Sequence, residues 1–138
     1  MQTLDNQPAP RVLIADDDPV MRQLLKSMIR KEGYEVVVVE DGREAFRTLQ
    51  SDANFQAGVF DMMMPHLKGL DVISYMRTEK RLRRIPILMI SAESDLKLMG
   101  QSFMAGATVF LTKPFTTEQF QTTFRILMAH QPAAVAAQ

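Results

Sequence analysis

Several polar residues stand directly behind short apolar runs of the sequence, and their side chains are the candidates for chemistry. Asp61 follows the run Ala57–Phe60 and is itself followed by three methionines and a proline. A carboxylate is an unusual end for such a run, because the run predicts a buried strand and a buried charge is costly. The other residues in such positions are Asp16, Asp17, Ser91 and Lys113. The sequence therefore predicts a polar site built from the ends of separate strands.

The residue types point to divalent-metal and phosphoryl chemistry. Carboxylates held close together repel one another, and a hard cation such as Mg²⁺ relieves that repulsion while leaving room for water and phosphate oxygens. Lys113 adds a positive charge suited to phosphate, and Ser91 adds a hydroxyl donor. A carboxylate can also act as a nucleophile, giving an aspartyl phosphate. Since the sequence has no glycine-rich phosphate loop, Asp61 is predicted to accept a phosphoryl group rather than process a small substrate.

The elements that must position these residues alternate regularly along the chain. The predicted strands are Arg11–Ala15, Glu35–Val39, Ala57–Phe60, Pro86–Ile90 and Thr108–Leu111. The predicted helices cover Pro19–Lys31, a short stretch around Ala45–Leu49, Leu67–Lys80, Asp95–Met104 and the segment after Thr116. Continuous apolar strands joined by helices predict an α/β fold whose parallel sheet is covered on both faces. Ligands bind beyond the carboxyl ends of such strands, where the candidate side chains converge.

Several conspicuous residues have a structural interpretation that we favour. Asp18, which is followed by a proline, is predicted to cap the first helix. Thr116 and Gln119 have the spacing of a capping box at the start of the last helix. His66 and the basic turn at 81–84 are predicted to be solvated, and most of the 11 methionines to fill the core.

Length and composition indicate one domain without cysteine chemistry. The 138 residues carry 16 Lys and Arg against 16 Asp and Glu, a balance that favours neither nucleic acid nor a membrane as a partner. Without cysteine there is no disulfide and no thiolate zinc site. No apolar run reaches membrane-spanning length and residues 1–10 lack the order of a signal peptide, so we expect a cytoplasmic protein. We expect a flexible leader at 1–10, the domain at 11–130 and a flexible tail at 131–138.

Short motifs occur along the chain in a fixed order and spacing. They are Val12-Leu13-Ile14-Ala15-Asp16-Asp17-Asp18, Asp41-Gly42-Arg43-Glu44-Ala45, Asp61-Met62-Met63-Met64-Pro65, Gly69-Leu70, Pro86-Ile87, Ser91-Ala92, Gly106-Ala107 and Lys113-Pro114-Phe115. Together they resemble the receiver domain of two-component response regulators, of the chemotaxis-regulator kind, over residues 11–128. The resemblance implies a flavodoxin-like (βα)5 fold, a three-layer sandwich around a five-stranded parallel sheet with strand order 2-1-3-4-5.

The resemblance also implies which residues hold the metal ion and accept the phosphoryl group. Asp61 would be the phosphoacceptor and one ligand of Mg²⁺. Asp17 would bind the ion directly and Asp16 largely through water. The backbone carbonyl of Met63 would be a further ligand.

The same resemblance implies the residues that sense the phosphoryl group. Lys113 would pair with its oxygens, and the hydroxyl of Ser91 would donate a hydrogen bond to it. Phe110 would be the aromatic switch residue. The peptide bond between Lys113 and Pro114 would be cis, a form that is accessible at tolerable cost only before proline.

The function implied is that of a bacterial, cytoplasmic signalling protein rather than a conventional enzyme. A histidine kinase or a histidine phosphotransfer protein would donate the phosphoryl group, and the domain would catalyse its own phosphoryl uptake and hydrolysis. A downstream output protein would read the state at the surface of the fourth and fifth helices and the fifth strand. No direct contact with nucleic acid or membrane is implied.

Some positions depart from the family pattern. Ser91 stands where threonine is frequent, Phe110 where tyrosine is frequent, and Lys68 where an acidic residue is frequent. Met63, two residues after the acceptor, cannot orient a water molecule as a polar side chain could. We therefore hypothesise slow spontaneous hydrolysis of the phosphorylated form.

Other functions use similar residues. A small phosphatase with an aspartate nucleophile typically has a second acid two residues later, where this chain has Met63. A flavodoxin-like protein that binds a nucleotide or flavin is disfavoured because the carboxylates repel phosphate. A scaffold that acts without phosphorylation is disfavoured because all the candidate site residues are present.

Overall fold

The computed structural model describes residues 9–92 and 96–130, in which strands and helices alternate as predicted. The strands are β1 (Arg11–Ala15), β2 (Glu35–Val39), β3 (Ala57–Asp61), β4 (Ile87–Ser91) and β5 (Val109–Thr112). The helices are α1 (Pro19–Lys31), α2 (Gly42–Ser51), α3 (Gly69–Thr78), α4 (Leu96–Ala105) and α5 (Thr117–Met128). The predicted tail, residues 1–8 of the predicted leader and Asp95 lie outside the described residues. Among the described helices, none has both the length and the apolarity needed to span a membrane.

The strands form a parallel sheet in the order β2-β1-β3-β4-β5, which confirms the expected fold. β3 lies at the centre, between β1 and β4. Because the strands are parallel, their carboxyl ends share one edge of the sheet. At that edge Asp61 lies opposite Ile90 of β4, and Ser91 lies opposite Thr112 of β5.

The two faces of the sheet bury separate apolar clusters, since successive strand residues point to opposite faces. The cluster under α1 and α5 contains Ile14, Val59, Leu88, Leu25, Ile29, Phe120 and Phe124. The cluster under α2 and α3 contains Leu13, Phe60, Met89, Ala45, Leu49, Ile73 and Met76. Burial on both faces explains why β3 and β4 are apolar along nearly their whole length.

The capping residues predicted from the sequence start two of the helices. The Asp18 carboxylate accepts a hydrogen bond from the Val20 amide at 3.0 Å, and Pro19 is the first residue of α1. Thr116 and Gln119 exchange the two capping-box bonds at α5, at 2.9 and 3.0 Å. Both predictions are confirmed, because side-chain oxygens satisfy amides that the helix itself leaves unpaired.

The basic turn after α3 is exposed at Arg81, Arg83 and Arg84, as expected of a solvated loop, but two of these arginines also bind the rest of the fold. The Arg81 guanidinium donates to the Leu49 carbonyl in the last turn of α2 at 2.8 Å. Arg84 donates to the Ala53 carbonyl at 2.9 Å. Leu82 between them is fully buried. These bonds fix the end of the sheet that lies opposite the carboxyl ends of the strands.

Arg77 of α3 holds the turn between α4 and β5. Its guanidinium donates to the Gly106 carbonyl at 2.7 and 3.1 Å and to the Arg83 and Ile85 carbonyls, each at 2.9 Å. No carboxylate pairs with it among the described residues, and burial lowers the pKa of Arg77. Gly106 has a φ of +117°, and a Cβ there would lie 2.6 Å from the Arg77 Nε. The turn therefore requires glycine both for its backbone conformation and for its contact with the arginine.

Helix α4 is only shallowly buried. Ser102 is the one residue of Leu96–Ala105 that is fully buried. Leu96, Phe103 and Met104 are exposed apolar side chains. The helix thus presents apolar groups to solvent along much of its length.

Candidate functional site

Three carboxylates meet at the carboxyl end of the sheet. Asp61 is the last residue of β3, and Asp16 and Asp17 follow the neighbouring strand β1. One carboxylate oxygen of each residue lies within 4.8 Å of those of the other two. Asp16 is fully buried, Asp61 is 7% exposed, and Asp17 lies at the surface. This acidic group (Asp16, Asp17 and Asp61) is therefore open to solvent on the side of Asp17.

Lys113 brings a positive charge to the acidic group. Its Nζ lies 3.6 Å from the Asp16 Oδ2 and 3.6 Å from the Asp61 Oδ1. The Lys113 amide donates to the Ser91 carbonyl at 2.7 Å, which ties this segment to the end of β4. The peptide bond from Lys113 to Pro114 is cis. One ammonium is therefore shared between two buried carboxylates.

The carboxylates of Asp16 and Asp61 are costly to ionise, because they are buried and share one ammonium. Burial first, and then the charge of Asp16, raises the pKa of Asp61 to about 6, although Lys113 acts in the opposite direction. Burial also raises the pKa of Asp16. The Asp16 Oδ2 is a buried oxygen that has no hydrogen-bond donor within the described residues. Such oxygens, close together and incompletely paired, fit a hard cation such as Mg²⁺.

The segment from Asp16 to Asp18 is held by hydrogen bonds that shape the acidic group. The Asp18 amide donates to the Asp16 Oδ1 at 2.9 Å, so Oδ2 is the oxygen of Asp16 that faces Lys113. The guanidinium of Arg22, on α1, donates to the Asp16 backbone carbonyl at 2.9 Å. The bond from Arg22 could not be predicted from the sequence, because nothing distinguishes Arg22 from the other basic residues of α1.

The segment after Asp61 turns sharply against the start of α3. The Met63 amide lowers the pKa of the Asp61 carboxyl slightly, and the Met63 side chain is 55% exposed. The Gly69 amide donates to the Met62 carbonyl at 3.0 Å. A Cβ at Gly69 would lie 2.6 Å from the Asp61 carbonyl oxygen, so only glycine permits this approach.

Ser91 lies on β4, the strand beside β3, and Phe110 lies on β5, one strand further out. Ser91 ends β4 and is fully buried. Phe110 of β5 is partly buried, lies opposite Met89 of β4 and packs against the cluster under α2 and α3. Both residues therefore occupy elements that connect the acidic group with the outer edge of the sheet.

His66 makes a contact that the sequence did not predict. It is exposed, as expected, yet its Nδ1 lies 3.1 Å from the Arg43 Nη2 on α2. Its φ of 71° is the left-handed conformation, which is uncommon for residues other than glycine. Because the partners are 23 positions apart, no spacing signal in the sequence could have found the pair.

Comparison with known proteins gives a consistent result. A family model for the response regulator receiver domain matches residues 12–125. The chemotaxis protein CheY1 of Helicobacter pylori is 30% identical over 119 residues, which cover 86% of this chain and 96% of that protein. The chemotaxis protein CheY of Pseudomonas aeruginosa is 33% identical over 109 residues, covering 78% of this chain and 87% of that protein.

Solved structures share the fold over most of its length. The chemotaxis response regulator CheY4 of Vibrio cholerae matches with a TM-score of 0.80 and 30% identity, covering 87% of this chain and 99% of that one. The receiver domain of the sensor histidine kinase PA1611 of Pseudomonas aeruginosa matches with a TM-score of 0.79 and 26% identity, covering 88% and 99% of the two chains. That structure has a magnesium ion coordinated in its active-site cleft.

Proposed function

The chain belongs to the response regulator receiver domain family, and from that premise we propose that it is a signalling switch whose phosphoacceptor is Asp61. The observation that carries the proposal is the meeting of Asp61 with Asp16, Asp17 and the ammonium of Lys113 at one edge of the sheet. The phosphoryl donor is a histidine kinase or a histidine phosphotransfer protein.

Transfer requires a carboxylate oxygen of Asp61 to attack phosphorus. That oxygen forms the new bond to phosphorus, and the P–N bond of the donor phosphohistidine breaks, its electron pair remaining on an imidazole that carries one proton. With a pKa of about 6, most of the Asp61 carboxyl is ionised at neutral pH. The Lys113 ammonium, 3.6 Å from Asp61, is placed to pair with the charge that arrives.

The groups that would hold Mg²⁺ are the acidic group and the backbone carbonyl of Met63. When bound, the ion supplies positive charge against the phosphoryl oxygens. The Oδ2 of buried Asp16 supports this assignment, because it accepts no hydrogen bond within the described residues and its one ion-pair partner, Lys113, is 3.6 Å away.

The phosphorylated state is read at the surface formed by α4, β5 and α5. The Ser91 hydroxyl and Lys113 bind the added phosphoryl oxygens and thereby shift an existing equilibrium of β4, β5 and the intervening α4. Phe110 takes part because it lies on β5, and the exposed apolar groups of α4 contact a downstream output protein. The protein works in the cytoplasm without direct contact to nucleic acid or membrane.

The test is phosphorylation of the whole chain by acetyl phosphate with Mg²⁺, followed by intact-protein mass spectrometry. Wild type is expected to gain one phosphoryl group and Asp61→Asn none. Glu118→Gln, which removes an exposed carboxylate from the first turn of α5, is the control and should label like wild type. Robust labelling of Asp61→Asn would contradict the assignment of the acceptor.

An aspartate-nucleophile phosphatase is the enzymatic alternative, and the site gives it little support. The position two residues after Asp61 holds the exposed thioether of Met63 instead of a second acid. Steady turnover of a phosphate monoester such as p-nitrophenyl phosphate by the purified chain would revive that function.

A further inference from the structure

We propose that Arg22 is a positioning residue for the metal site, and this inference rests on the proposed function. Arg22 lies one turn into α1 and its guanidinium reaches back to the Asp16 carbonyl at 2.9 Å. Among the described residues it makes no hydrogen bond or ion pair with a carboxylate of the acidic group. Its effect on the metal therefore has to pass through the backbone that carries Asp16 and Asp17.

The first step concerns the Asp16 carbonyl. Asp16 is fully buried, so bulk water cannot reach its backbone oxygen. Within residues 9–92 and 96–130, Arg22 is the one donor to that oxygen. A buried carbonyl without a donor is unfavourable, and the segment has to move to find a replacement.

The second step concerns Asp17. Its side chain is exposed, and no hydrogen bond to its carboxylate is formed by the described part of the protein. Its place in the acidic group is therefore set by the backbone on either side of it. That backbone is fixed by the Asp18 amide, which donates to the Asp16 Oδ1 at 2.9 Å, and by Arg22. Loss of the Arg22 bond removes one of the two restraints on the segment that carries both carboxylates.

The third step separates position from charge. The cation that lowers the pKa of Asp16 and Asp61 is Lys113, and none of the ion pairs in the described residues involves Arg22. The guanidinium charge is directed at a carbonyl. If Arg22 acted only through its charge, its removal would strengthen the binding of a cation. If it acts by position, its removal weakens binding, so the two mechanisms predict opposite signs.

Lys26 provides a matched control. It lies one helical turn beyond Arg22, and both line a shallow cleft of about 260 Å³ with Val38 of β2. The Lys26 side chain makes no hydrogen bond or ion pair within the described residues. Lys26→Met thus removes a positive charge from the same surface without disturbing Asp16.

The experiment is a titration of the unphosphorylated, ¹⁵N-labelled full chain with Mg²⁺, followed by NMR. Arg22→Met is expected to weaken Mg²⁺ binding by about tenfold, as for other groups that hold a metal ligand in place. Arg22→Lys, which keeps the charge and one possible donor, is expected to fall between Arg22→Met and wild type. Lys26→Met is expected to bind Mg²⁺ within about twofold of wild type, because charges at the surface are strongly screened.

The outcomes are distinguishable. Unchanged or tighter Mg²⁺ binding by Arg22→Met overturns the proposal, even if that variant is less stable in urea without Mg²⁺. An equal loss of affinity in Lys26→Met also overturns it, because the loss then does not depend on the bond to the Asp16 carbonyl. Absence of Mg²⁺ binding by wild type contradicts the proposed function itself, whereas normal binding by wild type and Arg22→Met contradicts only the role of Arg22.

Discussion

Asp61 makes the folded chain less stable at neutral pH than it would be with a neutral side chain there. Burial raises its pKa from the ordinary 3.8 to about 6, so ionisation is more costly in the folded state than in the unfolded chain. The stability that this residue contributes is fully present below about pH 4 and is lost as the pH rises through about 6. The raised pKa of Asp16 acts in the same direction.

Asp61→Asn is therefore expected to stabilise the protein in the absence of Mg²⁺. The difference between 3.8 and about 6 already includes the opposing attraction of Lys113 and corresponds to about 3 kcal/mol, so we expect a gain of about 1–3 kcal/mol at neutral pH. The gain should shrink towards zero near pH 4. Urea unfolding with EDTA at the two pH values measures it, and Glu118→Gln should change stability by less than about 0.5 kcal/mol at either. A gain that does not depend on pH would contradict this explanation.

Met63 is the residue that we expect to set the lifetime of the aspartyl phosphate. Its side chain is 55% exposed beside the acceptor and offers no polar group to orient water. Met63→Asn is expected to shorten the phosphoryl half-life by about tenfold, less than the roughly 10²–10⁴-fold typical of a positioned general acid or base, because an amide only orients the water. Decay of the label after removal of the phosphodonor measures it, with Met104→Asn on exposed α4 as the control. A half-life that is unchanged or longer in Met63→Asn would contradict the hypothesis.

At the scale of elements, α3 connects Asp61 with the surface that we propose for readout. Its first residue, Gly69, packs against the Asp61 carbonyl, and near its last residue Arg77 binds the turn that joins α4 to β5. The carboxyl end of α4 is therefore held in place, while the helix itself is shallowly buried. We expect α4 to respond to phosphorylation by moving about this fixed end.

Gly106→Ala is expected to destabilise the protein by about 2–4 kcal/mol, because the new methyl group adds strain at positive φ to a clash with Arg77. Gly100→Ala is the matched control: a Cβ there meets nothing within 4 Å, and the change within a helix should stabilise by about 0.5–1 kcal/mol. Urea unfolding compares the two. In an Arg77→Met background the cost of Gly106→Ala should be smaller, and full additivity would contradict a contact between the two residues.

The sequence predicted the elements whose signals are local. The strands are continuous apolar runs, and Asp18, Thr116 and Gln119 cap helices through contacts a few positions away. The acidic group was predicted because the carboxyl ends of parallel strands share one edge of the sheet, which brings Asp16, Asp17 and Asp61 together. The contacts of Arg81 with Leu49 and of Arg77 with Gly106 could not be predicted, because the partners are backbone carbonyls 32 and 29 positions away that any residue could supply. The side chains of Arg43 and His66 meet across 23 positions of sequence, so no local pattern indicated that pair either.

At the scale of the whole molecule, we expect a metal ion bound at the acidic group to stabilise the entire fold. Mg²⁺ that binds only the folded state adds about 1.4 kcal/mol at ten times its dissociation constant. We expect the melting temperature to rise by about 5 °C under those conditions and to return when EDTA is added. Differential scanning calorimetry measures the change, which Asp17→Asn should reduce. An equal rise in Asp17→Asn would show that the ion acts elsewhere.

The shallow burial of α4 has a consequence for the range of target proteins that this domain can bind. Leu96, Phe103 and Met104 are exposed on a helix with one fully buried residue, so these side chains can adjust their rotamers without disturbing the core. Flexible apolar groups of this kind let one surface adapt to targets of different shape. Recognition at α4 is therefore expected to be tolerant of target sequence, and choice among targets to depend on the polar residues that surround it.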